Sequence, residues 1–94
     1  MFIVYILFSE NYLKTYTGYS SNFKGRLDSH NQFGKKDWAT RYRPWQVLWL
    51  EEFSTKTEAM AREKFLKTGR GRELIYKWIV EKYGKEILER KQGS

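Results

Sequence analysis

The chain has 94 residues, which suffices for one small domain and leaves no room for a second. It has no cysteine and one histidine, so a disulfide framework, a thiolate nucleophile, a cysteine zinc site and a histidine-rich metal cluster are excluded. Its 18 Lys and Arg residues against 11 Asp and Glu residues leave a net charge of +7. A surplus of that size on a small domain favours a polyanionic partner, above all nucleic acid.

The chain begins with two predicted strands. Residues 2–8 are an unbroken apolar run of β-branched and aromatic residues, typical of a strand buried on both faces. Residues 15–19 are a second run of strand-favouring types, and the short polar interval between the runs predicts an antiparallel hairpin. With the tip placed at residues 10–11, Tyr5 lies opposite Tyr16. Any even shift of that register keeps both phenols on one face.

Helices and a third strand follow. The first helix is predicted to begin near Ser21 and Asn22 and to end between residues 31 and 34. Residues 35–45 read as a loop, and a third strand starts at residue 47 and continues towards residue 53. A capping box of Thr55 and Glu58 opens a second helix over residues 56–67.

The end of the chain is predicted as a glycine-containing break and one more helix. Gly69-Arg70-Gly71 breaks the second helix, and the last helix covers residues 72–83, with Gly84 as the residue after its C-terminus. The order β-β-α-β-α-α predicts an α+β fold, a small three-stranded antiparallel sheet flanked by helices. Residues 1–84 are assigned to the domain and residues 85–94 to a charged C-terminal tail.

Two tyrosines and a glycine of the hairpin are candidate site residues. Tyr5 interrupts an otherwise apolar strand, and Tyr16 is predicted on the same face. Gly18 either leaves open space on that face, where a phosphate can approach the backbone, or marks a β-bulge. For each phenol, the alternative is a core tyrosine whose hydroxyl finds a hydrogen bond.

Charged side chains on the predicted helices are further candidates. Arg26 and His30 are four residues apart and share one helix face, at the border of the apolar face. Glu63 lies within an apolar arc, where a carboxylate is costly to bury unless it is paired or holds a metal. The alternatives are solvated side chains for Arg26 and His30, and an i,i+4 ion pair with Lys67 for Glu63.

The loop of residues 35–45 mixes basic and aromatic residues. Nucleic-acid bases stack on aromatic rings while phosphates meet cations, so this composition predicts a nucleic-acid contact surface. The alternative is a loop pinned to the core by Trp38 and Trp45 with solvated charges between them. A second basic cluster surrounds the glycine-containing break. The predicted nucleic-acid-binding residues are Gly18, Lys35, Lys36, Arg41, Arg43, Lys67 and Arg70.

In order and spacing, these residues resemble the GIY-YIG endonuclease superfamily, and specifically its small stand-alone bacterial members. Members of the superfamily include DNA-repair incision enzymes, homing endonucleases and some restriction enzymes. The resemblance covers about residues 2–80. The segments that carry it are Val4-Tyr5-Ile6, Tyr16-Thr17-Gly18, Gly25-Arg26-Leu27, Asp28-Ser29-His30, Arg43-Pro44-Trp45 and Glu58-Ala59-Met60-Ala61-Arg62-Glu63.

The resemblance implies a metal-dependent DNA endonuclease that hydrolyses phosphodiester bonds. It makes Tyr5 and Tyr16 the two motif tyrosines, one of which acts as general base or positions the attacking water. It makes Arg26 the arginine that stabilises the pentavalent phosphate, with His30 as its helix neighbour. Glu63 becomes the sole carboxylate ligand of a divalent metal, Mg²⁺ or Mn²⁺. A nucleic-acid-binding module with the same fold and little or no cleavage activity is the alternative.

Three positions depart from the family pattern. Val4 stands at the first-motif glycine and Thr17 at the middle position of the second motif, and neither changes a reacting group. Ile75 stands where several catalytically proven members have asparagine, so a polar group is absent there.

The expected partner is DNA, including branched or damaged DNA, together with a protein that directs the chain to its target. No membrane partner is expected. The apolar run at residues 2–8 lacks the basic flank and cleavage site of a signal peptide and is too short to span a bilayer, so the predicted location is the cytoplasm.

Overall fold

The computed structural model describes residues 1–31 and 42–93, with side chains described for residues 1–27 and 42–89. Within these ranges the chain forms three strands and four helices. Their bounds are β1 Phe2–Ser9, β2 Lys14–Ser20, α1 Phe23–Asn31, β3 Gln46–Phe53, α2 Lys56–Leu66, α3 Gly69–Tyr83 and α4 Glu86–Gly93. The strands make one antiparallel sheet in the order β2-β1-β3, which confirms the predicted α+β fold.

The hairpin register differs from the predicted one by two residues. Tyr5 lies opposite Gly18, and Leu7 lies opposite Tyr16. The difference arises because the connection occupies residues 10–13 instead of a two-residue tip, and Leu13 closes it with a φ of 54°. Since the shift is even, Tyr5 and Tyr16 still point to the same face of the sheet.

The central strand β1 is buried on both faces. Val4, Ile6 and Phe8 point to the face covered by α2, α3 and α4. Tyr5 and Leu7 point to the other face, where they pack against Trp45 and partly buried residues of β2 and α1. This double burial is what an unbroken apolar run requires, since every side chain must leave water.

The predicted break between the second and third helices is wrong in its position. Thr68 accepts a hydrogen bond from the Gly71 backbone N–H as the N-cap of α3, so Gly69 and Gly71 belong to the first turn of that helix. Gly71 is buried, and a Cβ there would overlap the Phe65 carbonyl oxygen and Leu66 Cα. Glycine is therefore needed for the close approach of α2 and α3, and not to stop a helix.

The end of the chain contains a helix that the sequence analysis did not predict. Helix α3 ends at Tyr83, and Gly84 follows with a φ of 91°, which confirms the predicted helix end. Helix α4 then spans most of the residues assigned to a charged tail. Its Ile87 is 3% exposed and belongs to the core cluster, so this part of the chain packs on the domain. None of the described helices is both long and apolar enough to cross a bilayer.

Candidate active site

A hollow of about 620 Å³ opens where β1, β2, α1 and α2 meet. We call this hollow the cleft. Four of the five residues predicted to act in catalysis line it: Tyr5, Tyr16, Arg26 and Glu63. Gly18 lies on its wall as well. The fifth predicted residue, His30, belongs to α1, and its side chain lies outside the described part of the molecule.

The two phenols form the inner wall of the cleft. Their rings are nearly parallel, with an interplanar angle of 15° and centroids 6.2 Å apart. Phe23 packs on the Tyr5 ring at 5.3 Å, and Trp45 meets the Tyr16 ring edge-on at 6.2 Å. Tyr5 is 1% exposed, whereas Tyr16 is only half-buried. The cleft is therefore built on one phenol held inside an aromatic cluster and one at its surface.

Gly18 provides the space for the Tyr5 hydroxyl. A Cβ at Gly18 would lie 2.7 Å from Tyr5 Oη and 3.1 Å from Tyr16 Cε1. The β1–β2 pairing runs without interruption through this position, so Gly18 does not mark a bulge. The space that its missing side chain leaves is used by the phenol itself.

Arg26 reaches the cleft from α1. The Gly25 backbone N–H donates to Asn22 Oδ1 over 3.2 Å, so α1 is capped at the residue predicted to cap it. Phe23 and Leu27 pack in the Tyr5 cluster, which leaves Arg26 exposed at the border of the buried face. This is the position that the helical spacing predicts.

The charges around Tyr5 act on its ionisation in opposite directions. Burial raises the pKa of the phenol above its ordinary value, and Tyr16 raises it further. The Arg26 guanidinium lowers the pKa through its charge and a hydrogen bond, while the Glu63 carboxylate raises it. The net effect is a raised pKa, so the Tyr5 phenol is neutral at neutral pH.

Glu63 enters the cleft from α2 because that helix crosses the sheet. Arg62 forms a two-pronged ion pair with Glu51 of β3, with Nε 2.8 Å from Oε1 and Nη2 3.0 Å from Oε2. Burial raises the pKa of Glu51, but hydrogen bonds from Arg62 and Trp49 outweigh it and leave that pKa lowered. The ion pair holds Arg62 towards the β3 edge of the sheet. Glu63 lies about 100° further round the helix and therefore towards the β2 edge.

Glu63 is partly buried, forms an ion pair and lines the cleft. Ala59 and Leu66 are buried and Met60 is exposed, so Glu63 lies at the boundary of the apolar face and not within it. Its side chain keeps 22% of its surface exposed, and Oε2 lies 3.5 Å from Lys67 Nζ. The predicted i,i+4 ion pair therefore forms, and the same carboxylate lines the cleft.

A divalent metal fits this donor set in one way. In the two described ranges, no three His, Cys, Asp or Glu side chains come together as a metal-binding group. Glu63 is the one acidic side chain on the wall of the cleft among the described residues. Magnesium is commonly held by one or two carboxylates plus waters and substrate phosphates, and an open cleft leaves room for both.

The predicted nucleic-acid-binding residues are only partly described. Lys35, Lys36 and Arg41 lie outside the described residues, as does Trp38. Arg43 and Arg70 are exposed, and Lys67 lines a hollow next to the cleft. Trp45 is 3% exposed, so this end of the loop is anchored in the core, as one of the two readings of the loop expected.

Lys56 is a cleft residue that the sequence analysis missed. It is the first residue of α2 and lies seven residues before Glu63. Seven residues make about two helical turns, so both side chains lie on one face of the helix. The seven-residue spacing could have indicated Lys56 as a cleft residue, but only once Glu63 is known to face the cleft.

Comparison with known proteins shows the family to which this chain belongs. The family model described as the GIY-YIG catalytic domain matches residues 1–76. The chain belongs to the GIY-YIG family. This is a nuclease family, and it acts on nucleic acid.

Curated relatives are UPF0213 proteins of bacteria. One from Staphylococcus haemolyticus is 40% identical over 53 residues, which cover 56% of this chain and 65% of that protein. One from Streptococcus pyogenes serotype M5 is 43% identical over 66 residues, 69% of this chain and 71% of that protein. The chain thus spans slightly less than two thirds of the staphylococcal relative. No solved structure matches the present chain.

The three departures from the GIY-YIG pattern occupy different surroundings. Val4 is completely buried on the helix-covered face, away from the phenols. Thr17 lines the hollow next to the cleft. Ile75 lines that same hollow together with Glu63 and presents an apolar wall to it.

Proposed function

We propose that this chain is a metal-dependent DNA endonuclease that hydrolyses phosphodiester bonds. The observation that carries the proposal is the convergence of Tyr5, Tyr16, Arg26 and Glu63 on one cleft from four separate elements. These residues come from different parts of the sequence, and among the described residues Arg26 and Glu63 belong to neither hydrophobic core cluster. Their side chains supply the three functions that phosphodiester hydrolysis needs: a water-activating group, a cation for the phosphate and a metal ligand.

Glu63 would hold the metal, Mg²⁺ or Mn²⁺. When bound, such an ion polarises phosphoryl oxygens and lowers the pKa of its water. Arg26 is exposed at the rim of the cleft, where its guanidinium can donate two hydrogen bonds to non-bridging phosphate oxygens. That charge is positioned before the substrate arrives, so it stabilises the transition state without reorganisation.

The two phenols are suited to different tasks. Because the pKa of Tyr5 is raised, its hydroxyl keeps its proton and is a hydrogen-bond donor at the wall of the cleft. Tyr5 can accept a proton as a base only when further positive charge enters the cleft and offsets its burial. Tyr16 is half-buried at the cleft wall, where a bound phosphate or water can reach it.

A metal-ligand variant tests this function. Wild-type protein is incubated with supercoiled, branched and single-stranded DNA, with Mg²⁺, with Mn²⁺ and with chelator. Cleavage should need the metal, and Glu63→Ala should lower its rate by orders of magnitude, because the carboxylate is the only acidic ligand on the described cleft wall. DNA binding should persist or strengthen, since a negative charge leaves the cleft.

The matched control is Glu52→Ala, which removes an exposed carboxylate from β3 outside the cleft. It should leave the cleavage rate and its metal dependence unchanged. Metal-dependent cleavage that survives in Glu63→Ala would refute the assignment of the metal ligand.

One observation favours the alternative, a nucleic-acid-binding module with little or no cleavage activity. Ile75 lines the hollow beside Glu63, at the position where several catalytically proven members of the family have asparagine. An apolar wall gives no hydrogen bond to a metal-bound water or phosphate. Tight, salt-dependent DNA binding without cleavage under any metal condition would establish this alternative and overturn the endonuclease.

A further inference from the structure

The cleft continues into a groove along β2. A hollow of about 300 Å³ shares Tyr16 and Glu63 with the cleft. A further hollow of about 320 Å³ shares Thr15, Arg72 and Ile75 with the first. We call these two hollows together the β2 groove. It follows the outer edge of β2, which is an edge strand of the described sheet, and runs from the cleft towards the hairpin turn.

The β2 groove is lined by basic side chains. Lys67 and Arg72 line the hollow nearest the cleft, and Lys14 lines the far one. Among the described residues, neither Lys14 nor Arg72 makes an ion pair. The acidic side chain on the groove is Glu63, at the end that joins the cleft. Lys67 pairs with Glu63, and Lys14 Nζ lies 5.6 Å from the centroid of the Tyr42 ring, so among the described groove residues Arg72 is the cation best placed to meet a phosphate backbone.

An aromatic ring stands at the far end of the β2 groove. Tyr76 of α3 lines the far hollow and is 51% exposed, beside the buried Ile75. An exposed ring next to cations is the usual platform on which an unpaired base stacks, because every base has a π-face. A base inside a duplex is already stacked and paired, so such a ring offers little to double-stranded DNA.

The dimensions suit one strand. From Thr17 in the near hollow to Lys14 in the far one, β2 rises by about 10 Å at ~3.3 Å per residue. Stacked nucleotides rise by about 3.4 Å each, so the groove is as long as about three stacked nucleotides, or fewer of an extended strand. Each hollow lies at the lower end of the volumes found for small-ligand pockets, which is room for part of one nucleotide chain.

We propose that the β2 groove binds an unpaired DNA strand that is continuous with the strand lying in the cleft. Arg72 holds a phosphate of this strand, and Tyr76 stacks on one of its bases. This inference rests on the proposed function, since it names the substrate that the same cleft would prefer. That substrate is a duplex with a single-stranded extension next to the bond that is cut.

Fluorescence anisotropy tests the inference with two labelled DNAs: a blunt duplex, and the same duplex with a single-stranded extension of about four nucleotides. Chelator prevents cleavage during the measurement. The wild-type protein should bind the extended DNA more tightly than the blunt one. Tyr76→Ala and Arg72→Ala should each weaken binding of the extended DNA by about fivefold to tenfold, the lower range for a lost stacking or phosphate contact.

Binding of the blunt duplex should be unaffected by either substitution. For Arg72→Ala, the slope of log K against log salt on extended DNA should also become shallower by ~0.7, the value for one phosphate contact on a single strand. Tyr76→Phe keeps the ring and should retain the wild-type affinity.

Two controls remove the same chemical groups elsewhere. Lys77→Ala takes a positive charge from another face of α3, and Tyr12→Ala removes an exposed tyrosine from the hairpin turn. Both should leave both affinities unchanged. The inference is overturned if Arg72→Ala and Tyr76→Ala have no effect, or if they weaken both DNAs equally. If the wild type binds both DNAs equally and cleaves duplex DNA in the metal-containing assay, the groove assignment fails and the endonuclease stands. If it binds neither DNA, both fail.

Discussion

On the helix-covered face of the sheet, Val4, Ile6 and Phe8 of β1 pack among aliphatic and aromatic side chains of α2, α3 and α4. On the opposite face, Tyr5 and Leu7 of the same strand are just as buried, yet Tyr5 brings a hydroxyl to the wall of the cleft. The two faces alternate residue by residue along a single run of sequence.

The difference shows how a small domain separates stability from chemistry. The helix-covered face gains its free energy from apolar burial and close helix packing, and neither process needs a particular polar group. The cleft face instead places a buried phenol, a guanidinium and a carboxylate close together, where burial raises the pKa of Tyr5 and the Arg26 guanidinium opposes that rise. Substitutions on the two faces should therefore change different measured quantities.

The largest expected effect is on the cleft face. Arg26→Ala should lower the single-turnover rate of DNA cleavage by ~10²–10³-fold, because it removes a positioned cation from the developing phosphate charge. The free energy of unfolding should stay close to that of the wild type, since the side chain is exposed. Lys24→Ala removes an exposed charge from the same helix and serves as the control. Full activity in Arg26→Ala would show that Arg26 takes no part in DNA cleavage.

The next effect belongs to the helix-covered face. Gly71→Ala should lower the free energy of unfolding by ~1–3 kcal/mol, because the added Cβ overlaps backbone atoms of Phe65 and Leu66. Gly69→Ala is the matched control in the same helical turn, where a Cβ meets nothing within 4 Å. It should leave stability unchanged or raise it by up to about 1 kcal/mol. Urea denaturation measures both, and equal values would contradict the close contact of α2 and α3.

The smallest effect is a pH dependence on the cleft face. The pKa of Tyr5 is raised in the folded chain, so above pH ~10 the unfolded chain loses this phenolic proton while the native one keeps it. The stability that this phenol contributes is fully present below pH ~10 and is lost as pH rises through the folded-state pKa. Thermal unfolding scans at increasing pH should show this loss.

Tyr5→Phe should remove that part of the alkaline loss. Tyr83, whose pKa burial also raises, remains in the variant and maintains its own dependence, so the difference between the two proteins isolates Tyr5. Identical alkaline profiles would mean that Tyr5 ionises as readily in the folded chain as in the unfolded one.

Local sequence patterns predicted every described element except α4. Apolar runs and strand-favouring residue types predicted three strands, and capping side chains at Asn22 and Thr55 predicted where two helices begin. Because side chains alternate between the two faces of a strand, any even shift of the pairing keeps Tyr5 and Tyr16 on one face, as the structure has them. Gly69 and Gly71 led to a wrong prediction. Glycine in a sequence commonly indicates a helix break, but Gly71 lies inside α3 and allows its close contact with α2.

By itself, then, the sequence determined the α+β order, the faces of the strands and the motif residues that identify the family. Tertiary structure alone decided the register, through the turn that Leu13 closes with a positive φ. It alone showed that Glu63, at the border of a helix face, reaches the cleft beside Tyr5 and that Arg72 and Tyr76 line a groove leading away from it. The reason is physical: propensity and periodicity act over one or two turns, whereas a site forms where elements distant in sequence pack against the same edge of a sheet.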